Sequence, residues 1–176
     1  MTLATRTSDN DLKSIILGTQ DAIRADPEKG KVTFRSACTS AEGFRTEAKI
    51  RDHKLTADFS EALGGHNAGP SPVELVLASI GTCQAMTYRA YATAMDIPLE
   101  EIEVEVEGDI DLRGFLAVDD SVRPGFEALR VKVRLVSDAP RDQIEMLRTA
   151  SDTHCPLRDI VANTVPVALE VQQQTT

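Results

Sequence analysis

Two cysteines carry the chemistry that this chain makes available. Cys83 lies inside an apolar, helix-patterned run, SPVELVLASIGTCQAMTYRAYATAM, and Cys155 opens the phrase HCPLRD, where a proline follows the thiol. With three cysteines in 176 residues the chain is no disulfide-dense scaffold. One thiol in a buried, apolar setting and one at a helix start are unequal partners. That inequality is what an attacking thiol and a resolving thiol require, so redox chemistry is the first hypothesis.

Each residue also has a plainer reading. A free cysteine packs like a small hydrophobe, and apolar surroundings raise its pKa and leave it inert. Cys83 therefore needs a nearby cation if it is to react as a thiolate. Arg35 and Arg45, on the first two predicted strands, are the candidates, although strand arginines commonly just face solvent. Cys155 is expected at the N-cap of a helix beginning PLRDIVAN, where the dipole and free N–H groups favour a thiolate; a cysteine replacing a capping serine is the alternative. Cys38 sits in an alternating strand with nothing nearby to activate it. Glu74 either complements the helix N-terminus or holds an arginine near the thiol. Cys38, Cys83, Cys155, His53, His66 and His154 are metal ligands in principle, but no CxxC, HxxxH or HExxH spacing joins them. GGHNAG lacks both the GxGxxG pattern and the lysine of a phosphate loop.

The elements that must position these residues follow from periodicity. Residues 9–25 read as an amphipathic helix, with Ser8 and Asp11 as its capping box, added N-terminally to the main body. Strands are expected at about 31–38, 43–50 and 53–59, then a turning loop at 64–72. A helix from 72 to 95, apolar nearly all round, is expected to be buried on several sides. Strands at 101–110 and 128–136 alternate apolar with charged residues, flanking a long loop. Helices at 139–152 and from 156 precede a last strand, VPVALEV. Strands grouped in halves indicate α+β: antiparallel sheets around a long central helix. The division expected is an appendage over 1–29 and one domain over 30–176.

Composition excludes several functions. A formal net charge of −9 argues against nucleic acid and anionic membranes as partners. Tryptophan is absent and aromatics are only 4%, too few for base-stacking platforms. No apolar run reaches the roughly 18–20 residues of a membrane span, and the N-terminus lacks the apolar region of a signal peptide. A cytoplasmic address is the expectation.

The phrase GGHNAGPSPVELVLASIGTC, followed some seventy residues later by CP, resembles the OsmC/Ohr family of osmotically induced and organic-hydroperoxide-resistance proteins. The likeness spans about 30–172 and is closer to the broad OsmC-like branch, through its PxEL form and GDIDLRGFLAVDD. It implies an intertwined α+β homodimer with sites at the subunit interface, acting as a peroxidase on organic hydroperoxides. Cys83 is then the attacking thiol, Cys155 the resolving thiol, and an external dithiol the reductant, with no metal or organic cofactor. The hydroperoxide-resistance branch places its glutamate directly after the motif proline, where this chain has Val73; Glu74 is one residue on, about 100° around a helix. The family's activating arginine falls near AEGFR, which makes Arg45 the nearest counterpart. The same resemblance also fits a non-enzymatic dimer that binds a small molecule or senses oxidation.

Overall fold

A computed structural model describes residues 9–175. The chain folds as α+β, with two antiparallel sheets and one long central helix. Helix α1, Asp9–Ala25, has the predicted bounds and docks against the central helix, with Lys13 paired to Asp96 at the far end of that helix. The Ser8 half of the expected capping box lies outside the described residues.

Strands β1 (Ala37–Ser40), β2 (Thr46–Ile50) and β3 (His53–Ala57) form a meander, with Cys38 opposite Ala48 and Ala48 opposite Leu55. The first strand starts six residues later than its alternation predicts, because residues 31–36 find no neighbouring strand. The segment 58–70 then folds around one carboxylate. Asp58, 2% exposed, accepts backbone N–H bonds from Phe59 (2.8 Å), His66 (2.9 Å) and Ala68 (3.2 Å). Burial pushes that carboxyl up, but the three N–H donors outweigh it and hold Asp58 below the usual carboxylate range. The wrapping is tight: a Cβ on Gly65 would come within 2.0 Å of the Phe59 carbonyl oxygen, and one on Gly69 within 2.2 Å of that of Thr56.

That loop delivers the chain into α2, Pro72–Ala94. Ser71 caps it, and Glu74 completes a capping box by bonding back to the Ser71 N–H and hydroxyl, both at 2.7 Å. The apolar girdle of α2 is covered on one side only. Ile80, Gln84, Tyr88 and Ala92 are buried, whereas Met86 is 74% exposed and Val73 and Val76 are also open. The expectation of burial on several sides is therefore corrected within this chain.

Strands β4 (Glu101–Ile110) and β5 (Phe126–Val136) pair in register along their length, with a shift at Asp109/Ile110. Their apolar sides pack toward α2, while the opposite face carries a ladder of Arg134 with Glu101 and Glu103, Lys132 with Glu105, and Arg130 with Glu107 and Asp109. The long connection between them contains a single turn of helix, α3 (Leu112–Phe115), capped by Asp111. Helix α4, Arg141–His154, packs on α2 through Leu147, which is fully buried among Tyr88, Ala92, Ile97 and Leu99. Helix α5, Pro156–Ala162, follows at once. The predicted last strand does not form: residues 164–175 have no strand partner, and Val167, Leu169 and Val171 are all more than 80% exposed. Alternation defines a face, but a strand also needs a free edge to pair with.

Candidate active site

The central helix and the α4–α5 junction bring two distant thiols together. Cys83 is midway along α2, and Cys155 is both the C-cap of α4 and the N-cap of α5. Pro156 accounts for the break, because the residue before proline is driven out of helical geometry; Cys155 is extended, at φ −77° and ψ 113°. Leu147 seats α4 on α2, and the His154 ring stacks on Tyr91 of α2 at 5.4 Å, so the junction is held from both sides. The two sulfurs lie 3.6 Å apart although 72 residues separate them in sequence. Both are free thiols.

Their settings are unequal, in the opposite sense to the sequence expectation. Cys155 is 1% exposed, while Cys83 is only half-buried. Packing of α4 and α5 over Cys155 decides this, and HCPLRD by itself does not encode it. The electrostatics also differ from expectation. The first-turn N–H of α5, from Leu157, reaches the Cys83 sulfur, and Cys155 makes no side-chain capping bond. Burial pushes the Cys83 thiol up; the Leu157 N–H opposes that, the neighbouring Cys155 adds to it, and the Thr87 hydroxyl opposes it. The net direction is upward.

Glu74 and Arg45 have other partners. Glu74 is engaged by Ser71, whose hydroxyl and N–H lower its carboxyl pKa. Arg45 is exposed and faces Glu47 at 3.8 Å. Neither is among the groups acting on Cys83, and none of those groups carries a positive charge. The structure thus assembles the thiol pair from this chain and leaves the expected cation elsewhere. Cys38 is exposed, with Ser36 Oγ 3.8 Å from its sulfur. Among the described residues no three His, Cys, Asp or Glu side chains converge as a metal site, and no helix is long and apolar enough to cross a membrane.

Two contributors to the thiol site escaped sequence reasoning. Leu157 acts through its backbone, which no residue type announces. Thr87 could have been found, since it stands four residues after Cys83 and so one helical turn away. A cavity of about 680 Å³ opens between β5 and α2, α4 and α5, the helices that also carry the thiols, floored by Val131, Val133 and Leu135 and edged by Arg148, Asp152 and Arg158.

Comparison with known proteins agrees with this architecture. The fold is similar to that of an OsmC-like protein from Mycoplasma pneumoniae, with a TM-score of 0.65 and 14% identity over 75% of this chain and 89% of that one. It is also similar to an organic hydroperoxide resistance protein OsmC from Legionella pneumophila (TM-score 0.54, 19% identity, 74% and 91% covered). A third relative in structure is an organic hydroperoxide resistance protein from Elizabethkingia anophelis (TM-score 0.54, 17% identity, 73% and 87% covered). No curated protein matches the chain. Residues 65–170, which carry both thiols, match the family described as OsmC-like protein, and the chain belongs to that family.

Proposed function

We propose that the protein is a thiol-dependent peroxidase that reduces organic hydroperoxides, with Cys83 as the attacking and Cys155 as the resolving cysteine. The observation that carries this reading is the 3.6 Å approach of two free thiols with unequal access to solvent. The more accessible Cys83 attacks as a thiolate. A bond forms between its sulfur and the terminal peroxide oxygen, the O–O bond breaks, and the alkoxide takes a proton and leaves as an alcohol. Cys83 is now a sulfenic acid. The Cys155 sulfur displaces its oxygen as water, giving an 83–155 disulfide, and an external dithiol restores both thiols by exchange. No metal or organic cofactor enters these steps, and a reducing compartment such as the cytoplasm suits them.

A homodimer with the site at its interface is part of the reading. The open side of α2, with Met86 exposed, and the unpaired apolar alternation of 165–171 support it, since apolar surface of this extent marks an interface. The cation that a half-buried thiolate requires is assigned to that second copy, with Arg45 its nearest sequence counterpart. Stoichiometric cumene hydroperoxide should consume Cys83 and Cys155 and yield the 83–155 disulfide on peptide mapping; both thiols unchanged would end the proposal. Steady-state turnover with a dithiol should vanish in Cys83→Ser.

One observation favours a second reading, binding or oxidation sensing without turnover: the cavity of about 680 Å³ between α2, β5, α4 and α5, with its apolar floor. That protein would oxidise once per thiol pair, and its peroxide consumption with excess dithiol would be the same in wild type and Cys83→Ser.

A further inference from the structure

The cavity between α2, β5, α4 and α5 is apolar on its floor but not on its α2 wall. Gln84 and Tyr88 stand there one helical turn apart, each only 6% exposed. Neither side chain makes a hydrogen bond among the described residues. Their polar atoms are not sealed in protein, as the Ser151 hydroxyl is, and so open onto the cavity. A buried amide or phenol without a partner costs free energy, so such groups in an apolar site mark where the polar atom of a ligand is received. Burial first, then the Asp152 carboxylate, push the Tyr88 phenol up, so it keeps its proton and donates. The rim carries guanidinium groups, yet both are engaged: Arg148 bonds Glu145 at 3.0 and 2.6 Å, and Arg158 meets Asp152 at 2.7 Å. Neither Cys83 nor Cys155 forms part of the walls, so this is a separate place from the thiol pair.

We propose that this cavity binds an uncharged amphiphile, its apolar body over Val131, Val133 and Leu135 and one carbonyl or hydroxyl oxygen between Gln84 and Tyr88. The proposal rests on the binding reading and deepens it by naming the chemistry of the ligand; it holds whether or not the thiols turn over peroxide. The size fits, since about 680 Å³ lies within the range of roughly 300–1,000 Å³ typical of small-molecule sites. The floor drives uptake by taking apolar surface out of water. The two α2 groups then choose among apolar molecules. Tyr88 donates to the ligand oxygen, and Gln84 donates to a carbonyl or accepts from a hydroxyl. A carboxylate head is disfavoured, because a guanidinium would have to give up Glu145 or Asp152 to meet it, and Asp152 itself repels an anion. A hydrocarbon without oxygen displaces water from Gln84 and Tyr88 and leaves both unmet.

The test uses the full chain and the uncharged fluorescent probe N-phenylnaphthylamine, displaced by three compounds of similar size: butyrophenone, butylbenzene and phenylbutyrate. Butyrophenone should have an inhibition constant about tenfold below that of either other compound. Gln84→Leu and Tyr88→Phe keep the apolar volume and remove the polar group, so each should reduce that preference while leaving butylbenzene unchanged. If one variant loses its helical circular dichroism, the other supplies the comparison. Butylbenzene binding as tightly as butyrophenone in the wild type would overturn the assignment of the head group and leave a merely apolar cavity. A ketone preference that survives both substitutions, or phenylbutyrate binding best, would overturn it equally. No probe uptake at all, as when a second copy of the chain covers the cavity, would end the binding reading together with the proposal. No peroxide enters this experiment, so the peroxidase reading is decided separately, by the hydroperoxide-driven 83–155 disulfide.

Discussion

The backbone N–H of Leu157 opposes the upward push of burial on the Cys83 thiol, while Cys155, the residue that caps the same helix, makes no side-chain capping bond. The two thiols are thus wired across elements: α5 begins at one cysteine and serves the other. This crossing ties the reactivity of Cys83 to the seating of a helix 74 residues further along the chain.

Access to reagent should follow burial. Cys38 is exposed, Cys83 half-buried and Cys155 buried, so iodoacetamide at neutral pH should label them in that order. The Cys83 rate should keep climbing into the alkaline range beyond an ordinary thiol, because its pKa is raised and the thiolate is scarce at neutral pH. Mass-spectrometric mapping against time and pH reads both. Denaturant should equalise the three rates, and an order led by Cys155 in the native protein would contradict the packing described.

Joining the thiols should stabilise the fold. A disulfide between positions 72 apart removes loop entropy from the unfolded chain, worth up to about 4 kcal/mol on the chain-entropy account. Urea unfolding of the oxidised and reduced forms should therefore differ by that order, and the difference should disappear on adding a dithiol. An oxidised form less stable than the reduced one would show that closure strains the junction.

Leu147 seats α4 on α2 and is fully buried. Leu147→Ala should cost about 3 kcal/mol in urea unfolding. It should also slow formation of the 83–155 disulfide under a mild oxidant, since α4 carries Cys155 to its partner. Lost stability with an unchanged rate would place the control of sulfur approach elsewhere.

Ser71 and Glu74 form the capping box that starts α2. Ser71→Ala should cost about 1 kcal/mol in unfolding experiments. Glu74→Gln, which keeps an acceptor, should lose less and leave the iodoacetamide rate of Cys83 unchanged. A rate altered several-fold by Glu74→Gln would instead put that carboxylate in contact with the thiol chemistry.

Asp58 predicts an acid sensitivity. Its folded pKa is depressed, so its contribution is present above the unfolded value of about 4 and is lost as pH falls through the lower folded value. The gap in thermal midpoint between wild type and Asp58→Asn should be widest near neutral pH and narrow below about pH 4. A gap independent of pH would mean that the three N–H bonds matter through geometry alone.

Much of the scaffold was legible from periodicity. Helices α1, α2 and α4 and strand β4 stand within two residues of their predicted bounds, because one apolar face per element is encoded locally. The CP junction was legible too, as proline dictates the break after Cys155. What escaped depends on partners. The alternation of Val165, Val167, Leu169 and Val171 predicts a strand, yet nothing in those residues says which edge receives it. The order of burial of the two thiols came out inverted, since Cys155 is covered by α4 packing on α2, a contact between segments far apart in sequence. Leu157 acts by its amide, and amides are invisible to residue type.

Cys83 is embedded in a 23-residue helix pinned at its start by Ser71 and Glu74, whereas Cys155 occupies a joint between two helices. The sulfurs must draw together from 3.6 Å to about 2 Å to bond. The Leu157 amide stands two residues past Cys155, in the first turn of α5. A shift of Cys155 toward its partner therefore carries that amide with it, so bond formation and the surroundings of the Cys83 sulfur change in one step.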